Sequence, residues 1–171
     1  MLPLLRKSVA LFTVLGAVVV LPGCGDGEDE FTVNVAGDYT LALTNRASSC
    51  AFDNWVEDES SSGIPLTVTQ NGSELDGTVG GGAGLLLALW LGSAEFEGTA
   101  KGSTLTMTNY GTTPAREGNC SFTYNAVVRG TLKDNSISGT ITYSPATNDN
   151  PDCANVECSA VQEFSGSRPP P

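Results

Sequence analysis

From residue 36 onward the chain alternates apolar and polar positions with a period of two. Tyr39, Leu41 and Leu43 alternate with Thr40, Ala42 and Thr44, and Ile64, Leu66 and Val68 alternate with Pro65, Thr67 and Thr69. The same alternation runs through Leu75–Val79, around Phe96, through Leu105 and Met107, along Phe122, Tyr124, Ala126 and Val128, and through Ile137, Ile141 and Tyr143. A last segment, 157–165, ends at Phe164. Period-two alternation places one side chain in two on a buried face, so these segments are read as eight half-buried strands. The connections Asn71-Gly72-Ser73, Ala100-Lys101-Gly102 and Lys133-Asp134-Asn135 have hairpin-turn composition. Tight turns make consecutive strands antiparallel neighbours. The expected fold is therefore all-β, an antiparallel up-and-down eight-stranded β-barrel that removes its own open edges, with a β-sandwich as the alternative.

An apolar-x-Gly-Thr-apolar unit recurs at Leu75–Val79, Phe96–Ala100, Val128–Leu132 and Ile137–Ile141. Each glycine falls in the alternation class of the inward side chains. A glycine there weakens a flat strand but suits one that must coil sharply, which points to a strongly bent sheet.

Two stretches break the pattern. Gly80-Gly81-Gly82-Ala83-Gly84 leads into the apolar run Leu85-Leu86-Leu87-Ala88-Leu89-Trp90-Leu91. It reads as a buried strand or short helix capping the core, or as a lid, ligand contact or membrane-touching loop above the barrel. The loop after the first strand gathers Asp53, Glu57, Asp58 and Glu59 around Trp55, and Asn148, Asp149, Asn150 and Asp152 cluster later. These oxygens suit a calcium ion by type, but the spacing fits no EF-hand loop, so both are taken as surface loops and no metal ligand is assigned.

The leader is different in kind. Arg6 and Lys7 precede a nearly unbroken apolar run from Ser8 to Leu21, short of the ~20 residues that span a bilayer comfortably. Leu21-Pro22-Gly23-Cys24 follows at once, so the beginning reads as a secretory signal. This leader resembles the lipobox of bacterial lipoproteins in Leu21, Gly23 and Cys24, with Pro22 departing from the pattern. The resemblance implies that residues 1–23 are a signal peptide and that Cys24 becomes the acylated first residue of the mature chain. Membrane lipid is then the expected partner. A bacterial envelope, lipid-anchored location is implied too, with the outer membrane favoured because Gly25 rather than an acid follows the cysteine.

Removing 23 residues leaves 148, with six cations against 19 acids and a net charge of −13. Such an acidic chain is a poor nucleic-acid binder, since phosphate recognition needs clustered cations. Residues 24–35, with Gly25-Asp26-Gly27-Glu28-Asp29-Glu30, read as a flexible acidic tether, residues 36–168 as the barrel domain, and 169–171 as a disordered tail. Besides Cys24 there are four cysteines, Cys50, Cys120, Cys153 and Cys158; an even number in an exported chain indicates two disulfides. Of three possible connectivities, the short CANVEC loop favours Cys153 with Cys158, which leaves Cys50 with Cys120.

Within the domain, Gly37-Asp38-Tyr39 resembles the Gly-x-Trp opening of lipocalin-like (calycin) barrels, with Tyr39 replacing the tryptophan. Phe164–Arg168 is similar to their last strand, whose arginine packs over that first ring. The likeness implies a cup for a small hydrophobic ligand, for which Leu87, Trp90, Phe96, Met107 and Tyr124 are the candidate contacts. It transfers no catalytic residue. The chain has no histidine to activate a nucleophile, and no cofactor is expected. The expected function is that of a non-enzymatic, membrane-anchored envelope lipoprotein binding a small apolar ligand. A structural or protein-interaction lipoprotein with a filled core is the alternative, and a carboxylate-dependent envelope hydrolase is a remote one.

Overall fold

A computed structural model describes residues 33–170; the leader, Cys24 and most of the acidic tether lie outside the described residues. In chain order the elements are β1 (Gly37–Ser48), β2 (Ser60–Asn71), β3 (Glu74–Val79), α1 (Gly81–Leu91), β4 (Glu95–Lys101), β5 (Thr104–Asn109), β6 (Ala115–Glu117), β7 (Cys120–Lys133), β8 (Ser136–Thr147), a short 3-10 turn (Pro151–Asn155) and β9 (Ala160–Ser167). Neighbouring strands pair antiparallel. β5 pairs with β7 and β9 returns to β1, which closes an eight-stranded up-and-down barrel, with β6 as an extra strand on β7. The β-barrel expectation holds, and every strand read from the alternation is present.

The alternation does what it should. Tyr39, Leu41, Ile64, Val68, Leu75, Phe96, Leu105, Met107, Ile137 and Phe164 point inward and form one apolar core, while the intervening threonines and acids face water. Full burial of such side chains contributes about 1.5–3 kcal/mol each before the entropy of ordering them is set against it.

The repeated glycines sit where neighbouring atoms leave no room for a side chain. At Gly98 a Cβ would lie 2.0 Å from the Thr106 carbonyl oxygen, and at Gly139 it would lie 2.0 Å from that of Arg129. Both obstacles are backbone of the adjacent strand. At Gly130 the space is taken by the Phe164 ring, 2.8 Å away.

The two ends of the barrel differ. At one, β2–β3, β4–β5 and β7–β8 are joined by tight turns, with Gly72, Gly102 and Asp134 in the left-handed backbone conformation these turns demand. Residues 33–35, counted with the tether on sequence grounds, pack with Ala36 beneath this end. Val35 is buried, its amide donates to Gln70 Oε1 (2.6 Å), and its carbonyl accepts from the Tyr39 hydroxyl (2.7 Å). The Arg168 guanidinium lies 5.6 Å from the Tyr39 ring centre and donates to the Ala36 carbonyl. The packing that the resemblance implied for these two residues is therefore present. At the opposite end lie the long connections: residues 49–59, α1, residues 110–119 with β6, and residues 148–159.

The four cysteines among the described residues are all at this loop end, but they do not pair as expected. Cys50 is bonded to Cys158, and Cys120 to Cys153. Barrel closure is the reason. Ser48 of β1 stands opposite Ala160 of β9, so Cys50 and Cys158, each two residues beyond that pair, meet across the seam. Ser49 and Ser159 bond to one another alongside. Cys120 opens β7, and the 3-10 turn after β8 folds Cys153 back onto it.

Candidate functional site: the loop end and its apolar helix

The glycine-leucine stretch is a helix. Leu and Ala are strong helix formers, and glycines mark both boundaries. Gly80 is extended at the N-cap; Gly92 takes the left-handed conformation at the C-cap and its amide donates to Ala88 O. Gly84 permits the close crossing, because a Cβ there would lie 2.1 Å from the Val79 carbonyl oxygen. The helix caps the barrel with one face only. Gly84 and Leu91 are buried, and Ala83 and Leu87 pack against the core. The other face carries Leu85, Leu86 and Leu89, exposed to 75%, 63% and 69%, beside Trp90. Of the sequence alternatives, the short helix is right but its burial is partial.

Those four residues, Val56 and Tyr110 are the exposed large hydrophobics among the described residues, and all six lie at the loop end. Scattered apolar side chains on a surface need no explanation, whereas a set gathered at one end does.

Beneath the helix lies an aromatic hub that the sequence reading missed. Phe52 is its centre, with ring centroids 5.1 Å from Trp90, 5.1 Å from Tyr124, 5.8 Å from Trp55 and 6.5 Å from Tyr143. Such tilted and edge-to-face pairs add about 0.5–1.5 kcal/mol each beyond burial. Two of the polar tips are bonded within the protein. Trp55 Nε1 donates to Arg46 O (2.8 Å), and the Tyr143 hydroxyl donates to Gln162 Oε1 (2.8 Å). Burial raises the Tyr143 phenol well above its usual range, and it raises that of Tyr124 too, with the Glu117 carboxylate adding to it. Asn109, the last inward residue of β5, is buried; its Nδ2 donates to Ser93 O (2.9 Å) and pins the segment after the helix. The chain had a signal for the hub in Phe52 and Trp55 within a loop held by Cys50, an aromatic density that a solvated acidic loop does not need.

The five candidate ligand contacts are thus divided. Phe96 and Met107 line the barrel interior, Leu87 packs under the helix, and Trp90 and Tyr124 meet only through Phe52. The interior retains a wholly apolar cavity of about 50 Å³ among Leu41, Leu66, Phe96, Met107, Ile141 and Phe164. One water needs ~10–15 Å³ in the same measure, so the space equals only a few waters.

The acidic loops are tied to their surroundings. Asp58 pairs with Arg46, which also reaches Glu163 at 2.7 Å. Asp152 Oδ2 accepts from the Asn119 amide and Nδ2, and Asn150 Oδ1 accepts from the Asp152 amide to start the 3-10 turn. Every Asp and Glu among the described residues is exposed, apart from half-buried Asp152. No helix of the described residues is long and apolar enough to cross a membrane. Comparison with family models, with curated proteins and with solved structures gives no match to this chain.

Proposed function

We propose that this chain is a non-enzymatic envelope lipoprotein, held to the membrane through acylated Cys24, that acts by docking a partner on its loop end. One observation carries the reading: the apolar surface that the barrel leaves uncovered is outside, on α1, rather than inside. An interior cavity of only about 50 Å³ supports an interaction role over a ligand cup. The direction of the chain supports it as well. Val33, the first described residue, lies at the tight-turn end, where its amide donates to Gly102 O, so an anchor at Cys24 brings that end nearest the lipid and leaves the loop end to face outward. Two or more acyl chains are what stable anchoring takes.

Two measurements test the two halves. Cys24→Ser should move the protein from the membrane to the soluble fraction; unchanged fractionation refutes the anchor. Native mass spectrometry of protein from its host should show the polypeptide without a bound apolar molecule; a stoichiometric one would restore the ligand-carrier reading.

A further inference from the structure

Carboxylates flank the apolar face of α1 along the chain. The loop that touches the helix through Phe52 carries Asp53, Glu57, Asp58 and Glu59, Val56 stands among them, and Glu95 follows the helix by four residues. Glu117 lies on β6 at the same end. The loop end has fewer cations than carboxylates. Lys101 and Lys133 sit at the tight turns, with Arg168 beside Tyr39; at the loop end Arg46 is held by Asp58 and Glu163, and exposed Arg116 adjoins Glu117 on β6. The segments flanking the exposed leucines therefore carry more carboxylates than cations, Asp53, Glu57, Glu59, Glu95 and Glu117 against Arg116. An apolar centre with a charged rim has the anatomy of a protein docking site, where burial gives the binding energy and the rim selects the partner and speeds encounter.

Resting on the docking role proposed above, we infer that the partner is a protein segment of cationic amphipathic character, presenting an apolar ridge to Leu85, Leu86 and Leu89 and lysines or arginines to the surrounding carboxylates. The sign of the rim decides among occupants. An anionic lipid surface is repelled by it, and so is a second copy of this end, because face-to-face pairing would set like charges against each other. A basic, leucine-faced helix meets both features at once, its apolar face on α1 and its cations on the flanking carboxylates.

The test uses residues 25–171, which contain the whole barrel, and a defined probe: a fourteen-residue amphipathic Leu/Lys helix, with a Leu/Glu peptide of identical pattern as its counterpart. The Leu/Lys peptide should bind at least tenfold more tightly than the Leu/Glu peptide, and its affinity should fall severalfold when salt is raised from 50 to 500 mM, since exposed charges are screened over about a Debye length. Leu85→Ser/Leu86→Ser/Leu89→Ser should weaken binding at least tenfold. Because these side chains are exposed, circular dichroism should report an intact fold. Glu57→Gln/Glu59→Gln should weaken it severalfold and flatten the salt dependence. Equal, leucine-dependent binding of both peptides would overturn the charge selection and leave the docking role standing. Binding that the leucine variant does not alter, or no binding by either peptide, would overturn both. Tighter association with vesicles containing anionic phosphatidylglycerol than with the Leu/Lys peptide would replace the protein partner by a membrane. Leucine-dependent dimerisation in sedimentation would replace it by a second copy.

Discussion

Removing the seam disulfide should destabilise the barrel more than removing the other one, and the difference follows from chain length. Cys50 and Cys158 are 108 residues apart, and Cys120 and Cys153 are 33 apart, inside that span. A cross-link stabilises chiefly by restricting the unfolded chain, with an entropy that grows as the logarithm of the closed loop. For the inner bridge this gives about 3.7 kcal/mol at 25 °C. With the inner bridge intact, the outer loop is effectively shortened to roughly 75 residues, which gives about 4.5 kcal/mol. Since a domain of this kind has about 5–15 kcal/mol in all, loss of the outer bridge removes a large share. The folded barrel should survive, because β1 and β9 remain paired from Thr40 to Asn45 without it. The assay is urea unfolding of C50A/C158A and C120A/C153A at pH 7. The first should lose more than the second, and both should show a steeper denaturant dependence as the freed unfolded chain exposes more surface. Peptide mapping without reduction should join Cys50 to Cys158. A loss under ~1 kcal/mol for the seam pair, far below the loop-entropy value, would refute the reasoning, as would a fragment in which Cys153 is bonded to Cys158.

Three further expectations follow. Gly139→Ala should cost ~1–3 kcal/mol in urea unfolding by forcing β7 and β8 apart, whereas Gly82→Ala, where nothing lies within 4 Å of the added Cβ, should be neutral or stabilising by about 0.5–1 kcal/mol through helix propensity. Phe52→Ala should cost ~1–3 kcal/mol, less than a fully buried phenylalanine, and should red-shift tryptophan emission, because both tryptophans of the chain pack on that ring. Tyr143 ionises to an anion that burial disfavours, so its folded value lies above the usual 10.0. The stability it contributes is fully present below pH 10 and declines as pH rises from there toward the folded value. Urea unfolding of wild type should therefore weaken more between pH 7 and pH 11 than that of Tyr143→Phe, whose loss of the hydroxyl bond to Gln162 costs ~0.5–1.5 kcal/mol at both pH values.

The disulfide pairing shows how far a one-dimensional reading carried. An up-and-down barrel sets its first strand beside its last, so the residues just beyond β1 and just before β9 must be neighbours. Cys50 and Cys158 occupy those places, and the closure expected from the alternation already implied their bond. Weighing the five-residue separation of Cys153 and Cys158 favoured proximity along the chain over proximity across the seam. The helix is a different case. Leu85–Leu91 is apolar at every position, so it carries no period by which a helix could be told from a buried strand, nor one face from the other. β6, three residues long, is too short to show alternation.

Period-two patterning, turn composition and inward glycines were enough to give the antiparallel strands and to favour their closure over a β-sandwich, because each depends only on a residue and its near neighbours in the chain. Which leucines of α1 stay in water, how Phe52 gathers four rings, and which cysteines meet were decided only when the sheet closed. Those outcomes depend on what the opposite wall brings into the same space, and a closed wall makes neighbours of residues more than a hundred positions apart.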